Sequence, residues 1–242
     1  MAAAGAVVAD LLQQLRAAAG VGVRLSELDS LAREVMARAG AVSSFLGYQP
    51  YPELMPYPAV VCASVNDVAL HGIPGPYALR DGDLLSLDCA AALDGWTADA
   101  AVTFAVGAPQ PADELLLATA EQALAAGVAA AVDGGRLGDV SAAIGRIGRG
   151  AGYGINTDFG GHGIGRTMHE EPSVPNDGRP GRGLRLRPGV VVAIEPWFFG
   201  GGSDDYRVDP DGWTLRSADG SRAVHVEHTV AVTPDGPRVL TA

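Results

Sequence analysis

Apolar positions recur along the chain with two rhythms, and the changes of rhythm mark the elements. Residues 4–19 are Ala- and Leu-rich without a break and predict a first helix. Over 27–39, Leu28, Leu31, Val35 and Met36 recur at helical spacing and predict a second, with Ser26 as N-cap, Asp29 three residues on, and Gly40 as its stop. A Pro-rich loop from Tyr48 to Pro58 leads to a strand over 59–65, and His71-Gly72-Ile73-Pro74 makes a turn. From Leu84 to Gly107 the chain reads LLSLDCAAALDGWTADAAVTFAVG, two apolar runs around Asp94-Gly95, which predicts a hairpin with a two-residue turn. Ala90 then faces Asp99, and Asp88 lies diagonally from Asp99 on the same face, about 7–8 Å away at the backbone.

The second half begins as the first does. Pro111 opens a helix over 111–131, and RLGDVSAAIGRIGRGAG (136–152) aligns without a gap on RLSELDSLAREVMARAG (24–40). The repeat predicts two related halves, about 1–110 and 111–242, packed as one unit of residues 1–242 in an α/β (α+β) fold, with strands of both meeting at a seam. Gly160-Gly161-His162-Gly163-Ile164-Gly165 follows, then His169-Glu170-Glu171-Pro172, a loop over 173–189, a buried-looking strand over 190–199 and a last strand over 225–232.

Composition narrows the possible functions. With 48% hydrophobic residues in 242, a sizeable core is available. No run of about 18 apolar residues occurs, so no membrane span is expected. The N-terminus lacks a basic region, and Cys62 and Cys89 are the two cysteines, which fits a cytoplasmic protein. A net charge of −11 argues against nucleic-acid binding, and the local cluster Arg179, Arg182, Arg185 and Arg187 reads as a solvated loop. All 17 basic residues are Arg, which excludes P-loop and Schiff-base chemistry, both of which need a Lys.

Most of the 28 acidic residues read as surface. Asp88, Asp99, Glu195 and Glu227 do not, because each sits inside an apolar strand, and buried carboxylates need partners. No Arg lies in these strands, so four carboxylates and an imidazole would suit two divalent ions sharing bridging carboxylates. Which imidazole stays open at this level. His162 in its glycine-dense turn and His71 before Gly-Ile-Pro each read equally well as structural, and His225 and His228, flanking Glu227, read as packing or as outer support. Cys62, Cys89, Met168 and Trp213, taken singly, read as core. Neither a G-x-S-x-G elbow nor a G-x-G-x-x-G fingerprint occurs, and Cys89 faces away from Asp88.

Taken together, SVNDVALHGIP (64–74), SLDC (86–89) with DGWTADAAVTF (94–104), GGHGIGRTMHEEP (160–172), VAIEPW (192–197) and DGWT (211–214) with HVEHTVAVT (225–233) resemble the type I methionine aminopeptidases, bacterial members of the M24 metallopeptidases. The motifs cover most of residues 40–235. The resemblance implies the pita-bread fold, two pseudo-symmetric halves with a central curved antiparallel sheet and outer helices. It implies removal of the N-terminal methionine when the second residue is small and uncharged, with two divalent ions (Co, Mn, Fe or Zn). Asp88, Asp99, His162, Glu195 and Glu227 would be the metal ligands, with Asp99 and Glu227 bridging, His162 and Glu195 on one ion and Asp88 on the other. Glu195 would also shuttle a proton, His71 and His169 would contact substrate, and Tyr48, Cys62, Met168 and Trp213 would help line the methionine pocket. The partners implied are the N-termini of newly made chains, met by a monomer near the ribosome exit, with no nucleic acid and no membrane. Departures from the family pattern cluster near the pocket: Met168, Leu70, Phe45 and a longer 49–58 segment. Rival readings are an Xaa-Pro aminopeptidase or prolidase of the same fold, which usually carries an extra N-terminal domain, and a non-catalytic binding protein, which would be expected to have lost ligands.

Overall fold

The apolar face of the first helix finds its partner in the hairpin. The structure, a computed structural model describing Met1 to Ala242, opens with α1 (Ala2–Ala18) and α2 (Leu25–Ala39). Strands β1 (Val42–Ser43), β2 (Cys62–Val65) and β3 (Val68–Leu70) follow, and then the hairpin β4 (Asp83–Leu93) and β5 (Trp96–Val106). Val8, Leu11, Leu12 and Leu15 of α1 pack with Leu28, Ala32, Val35 and Met36 of α2 onto Leu85, Leu87, Cys89 and Ala98 of the hairpin. Each large side chain so buried contributes about 1.5–3 kcal/mol.

The second half repeats the arrangement. Helices α3 (Pro111–Ala130) and α4 (Leu137–Gly150) precede β6 (Gly160–Gly163), β7 (Glu170–Pro175), β8 (Val191–Ile194), β9 (Trp197–Phe199), β10 (Tyr206–Val208), β11 (Leu215–Ser217), β12 (Ala223–His225), β13 (Glu227–Thr233) and β14 (Gly236–Val239). Leu116, Leu124, Val140 and Ile144 cover Val192, Ile194, Val224 and Val230. Gly127 lets α3 approach closely, since a Cβ there would stand 3.0 Å from Ile144 and 3.2 Å from Ile194. No helix is long and apolar enough to cross a membrane.

Both halves feed one antiparallel sheet of nine strands, in the order β1-β4-β5-β13-β8-β6-β7, with β2 added on β4 and β14 on β13. The seam is the pairing of β13 with β5, where Glu227 faces Ala101 and His228 faces Ala100. A smaller sheet, β10-β11-β3, ties Leu215 of the second half to Leu70 of the first.

Three expectations need correction. Helix α2 begins earlier than expected, and its N-cap is Arg24 rather than Ser26. Glu27 accepts from Arg24 N–H at 2.7 Å, while Asp29 is drawn away to Val60 N–H and Arg33. Helix α4 starts the same way, with Asp139 accepting from Arg136 N–H at 2.8 Å, so the repeat extends to the caps. The run 190–199 is two strands, because Pro196 has no N–H for a ladder. The last strand is likewise broken, at Val226, whose N–H goes to Pro196 O at 3.1 Å.

Candidate active site

The register of the hairpin is the expected one: Ala90 faces Asp99 and Asp88 faces Ala101. Glu227 stands across the seam from Ala101, at the first position of β13. Glu195 leaves the end of β8, and His162 lies in β6, whose glycines allow close strand contact: a Cβ at Gly161 would strike Ala193 O. All five side chains line one cleft of about 700 Å³. Ligand atoms of Asp99, His162 and Glu227 lie within 4.8 Å of one another. His162 Nε2 is 3.7 Å from Glu195 Oε1.

Nothing in the chain neutralises this set. Asp88 Oδ1, Asp99 Oδ1 and Glu227 Oε1 are buried without any hydrogen-bond partner, and no Arg lines the cleft. Burial, with carboxylates for neighbours, pushes Asp88 and Glu227 well above the usual range and Asp99 up to about 6. Burial also acts to raise Glu195, but His225, His162 and His71 around it outweigh that and hold it below the usual value. A cluster of orphaned carboxylate oxygens with one imidazole fits hard-to-borderline divalent cations such as Mn, Fe, Co or Zn.

Beside the donors is an apolar chamber of Phe45, Tyr57, Cys62, Met168 and Trp213, with Tyr48 and Leu54 packed against it. His71 and His169 stand at its border. His71 adopts a left-handed conformation (φ 56°), fixed by Gly72, whose N–H donates to Ser64 Oγ and whose carbonyl accepts from Ala63 N–H and Tyr57 OH. Its ring packs edge-on to Trp213 at 6.2 Å, and burial lowers its pKa to about 4. His169, on the open side, is lowered too, by partial burial and by His162, and shares a 2.7 Å hydrogen bond through Nδ1 with Tyr48 OH.

Residues 1–234 match metallopeptidase family M24. The chain belongs to that family. It is 51% identical to methionine aminopeptidase 1 of Mycobacterium tuberculosis, over its whole length and 91% of that protein. Its fold superposes on the methionine aminopeptidase of Thermotoga maritima with a TM-score of 0.94, at 35% identity, covering 100% of this chain and 94% of the other. The prolidase of Pyrococcus furiosus gives a TM-score of 0.78 at 21% identity, covering 100% of this chain and 62% of that one; that likeness speaks for the fold alone.

The structure brings every sequence-predicted site residue of this M24 peptidase into the cleft: Asp88, Asp99, His162, Glu195, Glu227, His71, His169, Tyr48, Cys62, Met168 and Trp213. Sequence reasoning did not single out Thr103, Thr229 or Asn176 as supports, whereas His225 and His228 lie where a reading as outer support or packing puts them. His225 Nε2 lies 3.3 Å from Glu195 Oε2 and 3.9 Å from Glu227 Oε2, outside hydrogen-bond geometry yet inside the charged cluster. Its backbone is held by Thr103, which donates to His225 O at 2.6 Å. Thr229 Oγ1 accepts from Asp99 N–H at 2.9 Å and donates to Asp99 O at 2.8 Å, stitching the seam at a donor. Asn176 donates to Glu195 O at 3.0 Å. His162 Nδ1–H donates to Gly163 O at 2.9 Å, which leaves Nε2 free for the site. His228 turns away to Thr241 at 2.9 Å. Hydroxyl residues facing inward in apolar strands were the available signal for Thr103 and Thr229.

Proposed function

We infer that this peptidase hydrolyses the first peptide bond of proteins and peptides that begin with methionine. The observation that carries the reading is that one cleft joins the apolar residues Phe45, Tyr57, Cys62, Met168 and Trp213 to a donor set in which Asp88, Asp99 and Glu227 keep buried oxygens without a partner. Asp99 and Glu227 would bridge two divalent ions, with His162 and Glu195 holding one and Asp88 the other. When bound, such ions supply acidity to water and Lewis acidity to the carbonyl.

The chain's own residues supply the rest. Glu195, held ionised among three imidazoles, accepts the proton of the attacking water and returns it to the leaving amine. His169, with Nδ1 accepting from Tyr48, offers Nε2–H to the carbonyl oxygen and stabilises the charge that develops there. His71 hydrogen-bonds the scissile amide. Phe45, Tyr48, Cys62, Met168 and Trp213 hold the methionine side chain and exclude water. The free α-amine belongs beside Asp88, which restricts cleavage to a chain end. The second residue, next to the scissile amide at His71, is taken to be small and uncharged.

All donors and the chamber come from residues 1–242 of one chain, so we read it as a single catalytic unit of two halves, about 1–110 and 111–242, acting as a monomer in the cytoplasm on newly made chains leaving the ribosome. The chamber separates this reading from that of an Xaa-Pro peptidase of the same fold. The deciding experiment is methionine release from Met-Ala-Ser by chelator-stripped protein, with and without Mn(II) or Co(II), beside Leu-Ala-Ser and Xaa-Pro peptides. Metal-dependent release of Met alone is expected. Cleavage of the Xaa-Pro peptides instead would overturn the reading, and no release with metal bound would make the chain a binding protein.

A further inference from the structure

The cleft is also lined by residues that the reaction above leaves unused: Pro50, Tyr51, Glu53, Leu54, Val208 and Phe159. The Pro50–Met55 segment is built to hold one shape. Its base is closed by Tyr57 N–H to Tyr48 O at 2.9 Å and Gly47 N–H to Tyr57 O at 2.8 Å, and its tip by Leu54 N–H to Tyr51 O at 3.1 Å. Gln49 Nε2 donates inward to Leu54 O at 2.6 Å and Pro52 O at 3.1 Å, and Trp213 Nε1 donates to Met55 O at 2.7 Å, fixing the loop to the chamber wall.

The wall continues around the mouth. Leu54 Cδ1 lies against Gly212, where a Cβ would come within 2.8 Å of it. Val208 ends the strand that runs into that turn, and Phe159 packs edge-on at 5.8 Å both to Tyr206 of the same strand and to His71. Tyr51 and Val208 are 67% and 52% exposed, apolar surface unpaired at the mouth of a structured cleft. Glu53 is exposed there too, and no Arg lines the cleft to pair with it. Once the inner carboxylates hold cations, Glu53 is the remaining charged group of the lining.

We propose that this rim binds the third and following residues of the substrate, favouring apolar or basic side chains and disfavouring acidic ones, through Tyr51, Val208, Phe159 and Glu53. The inference rests on the function proposed above: a chain with methionine in the chamber and its scissile amide at His71 leaves past Phe159 and the loop. The net charge of −11 gives the approach the same sign as Glu53.

The test compares kcat/KM for Met-Ala-Phe-Arg, Met-Ala-Ser-Ser and Met-Ala-Asp-Glu with the metal-loaded enzyme. The first is expected to exceed the last about tenfold at low salt, mainly in KM, with the gap narrowing as salt is raised. Glu53→Arg, an exposed change checked for unaltered circular dichroism and metal content, is expected to reverse the order of the basic and acidic peptides. Tyr51→Ser is expected to reduce the advantage of Phe over Ser at the third position about fivefold. Release from all three peptides at equal rates, or a ratio that Glu53→Arg leaves unchanged, removes the rim alone. No methionine released from any peptide removes the underlying peptidase reading, and the rim with it.

Discussion

Asp99 is fixed by its backbone and left open at its side chain: Thr229 satisfies the N–H and C=O, while Oδ1 has no partner. A cation is the partner that the burial demands, so Asp99→Ala is expected to lower metal content and to cut methionine release by at least about 10³-fold. Full activity with intact metal would show the donor set to be misassigned. His169→Ala separates a different role. Its ring touches Tyr48 and lies 4.3 Å from the ring of His162, beside the donors rather than among the closest of them. Metal content should stay, and kcat should fall about 10²-fold; loss of metal instead would move His169 into the donor set. Protons compete for the same oxygens. Asp99, raised to about 6, is protonated below that pH, so metal must displace its proton there, and affinity is expected to fall as pH drops through 6. Asp88 and Glu227, raised still further, steepen the fall. For the metal-free fold, a carboxyl with a raised pKa favours the protonated form, so its contribution to stability declines as pH rises from about 4 through 6. Titration calorimetry with Mn(II) between pH 5 and 7.5 measures the affinity slope; an affinity independent of pH would contradict it.

The hairpin does more than carry two aspartates. Its tip grips the segment that bears Met168 and His169: the Arg166 guanidinium lies 3.7 Å over the Trp96 ring, Arg166 Nη1 donates to Gly95 O at 3.1 Å, and Thr97 N–H donates to Gly165 O at 2.8 Å. Glu170 closes the turn by accepting from Arg166 N–H at 2.7 Å and Thr167 N–H at 2.9 Å. Arg166→Ala removes an exposed latch without touching a donor, so metal content should hold while kcat falls about three- to tenfold as His169 loses its placement. An unchanged kcat would show that Glu170 alone sets the turn. Local signals made much of this legible in sequence. Asp94-Gly95 fixed the register that aligns Asp88 with Asp99, and the repeat of residues 24–40 at 136–152 pointed to paired helices and a seam. What stayed hidden was set by distant partners. Ser26 looked like a cap because the recruitment of Asp29 by Val60 is a long-range event. The β10-β11-β3 sheet is built of three-residue strands too short to carry a period. The break at Glu195-Pro196 was readable from the proline, and an unbroken apolar run masked it. For His225 a supporting role was legible, but its partner Glu195 was set by the pairing of β12 with β9 across the chain.

The seam ties the whole molecule's stability to its chemistry. Asp88 and Asp99 come from the first half, and His162, Glu195 and Glu227 from the second, while the strands that join the halves, β5 and β13, pair through Glu227 and His228. Without cations, carboxyl groups from both sides crowd together where the halves meet, and whether ionised against one another or protonated without a partner they oppose the packing that the two hydrophobic cores favour. Cations that bind the folded chain and not the unfolded one stabilise it by mass action, about 2.7 kcal/mol at a free concentration of 100 times Kd, which for a chain of this size is about 5–10 °C in melting temperature. The double variant Asp99→Asn, Glu227→Gln removes two of the facing ionisable groups while keeping the shape of the site. In the presence of chelator it is expected to melt above the wild type at pH 7.5, and it is expected to gain little from added Mn(II) and to release no methionine. Calorimetric melting of both proteins with chelator and with metal checks the four values together. If the chelated wild type melts as high as the double variant, the carboxylates do not strain the seam, and the halves are held by their hydrophobic cores alone. If the wild type melts higher only when metal is present, the cations are the clamp between the halves, and the same charges that weaken the empty fold are the ones that make it a peptidase.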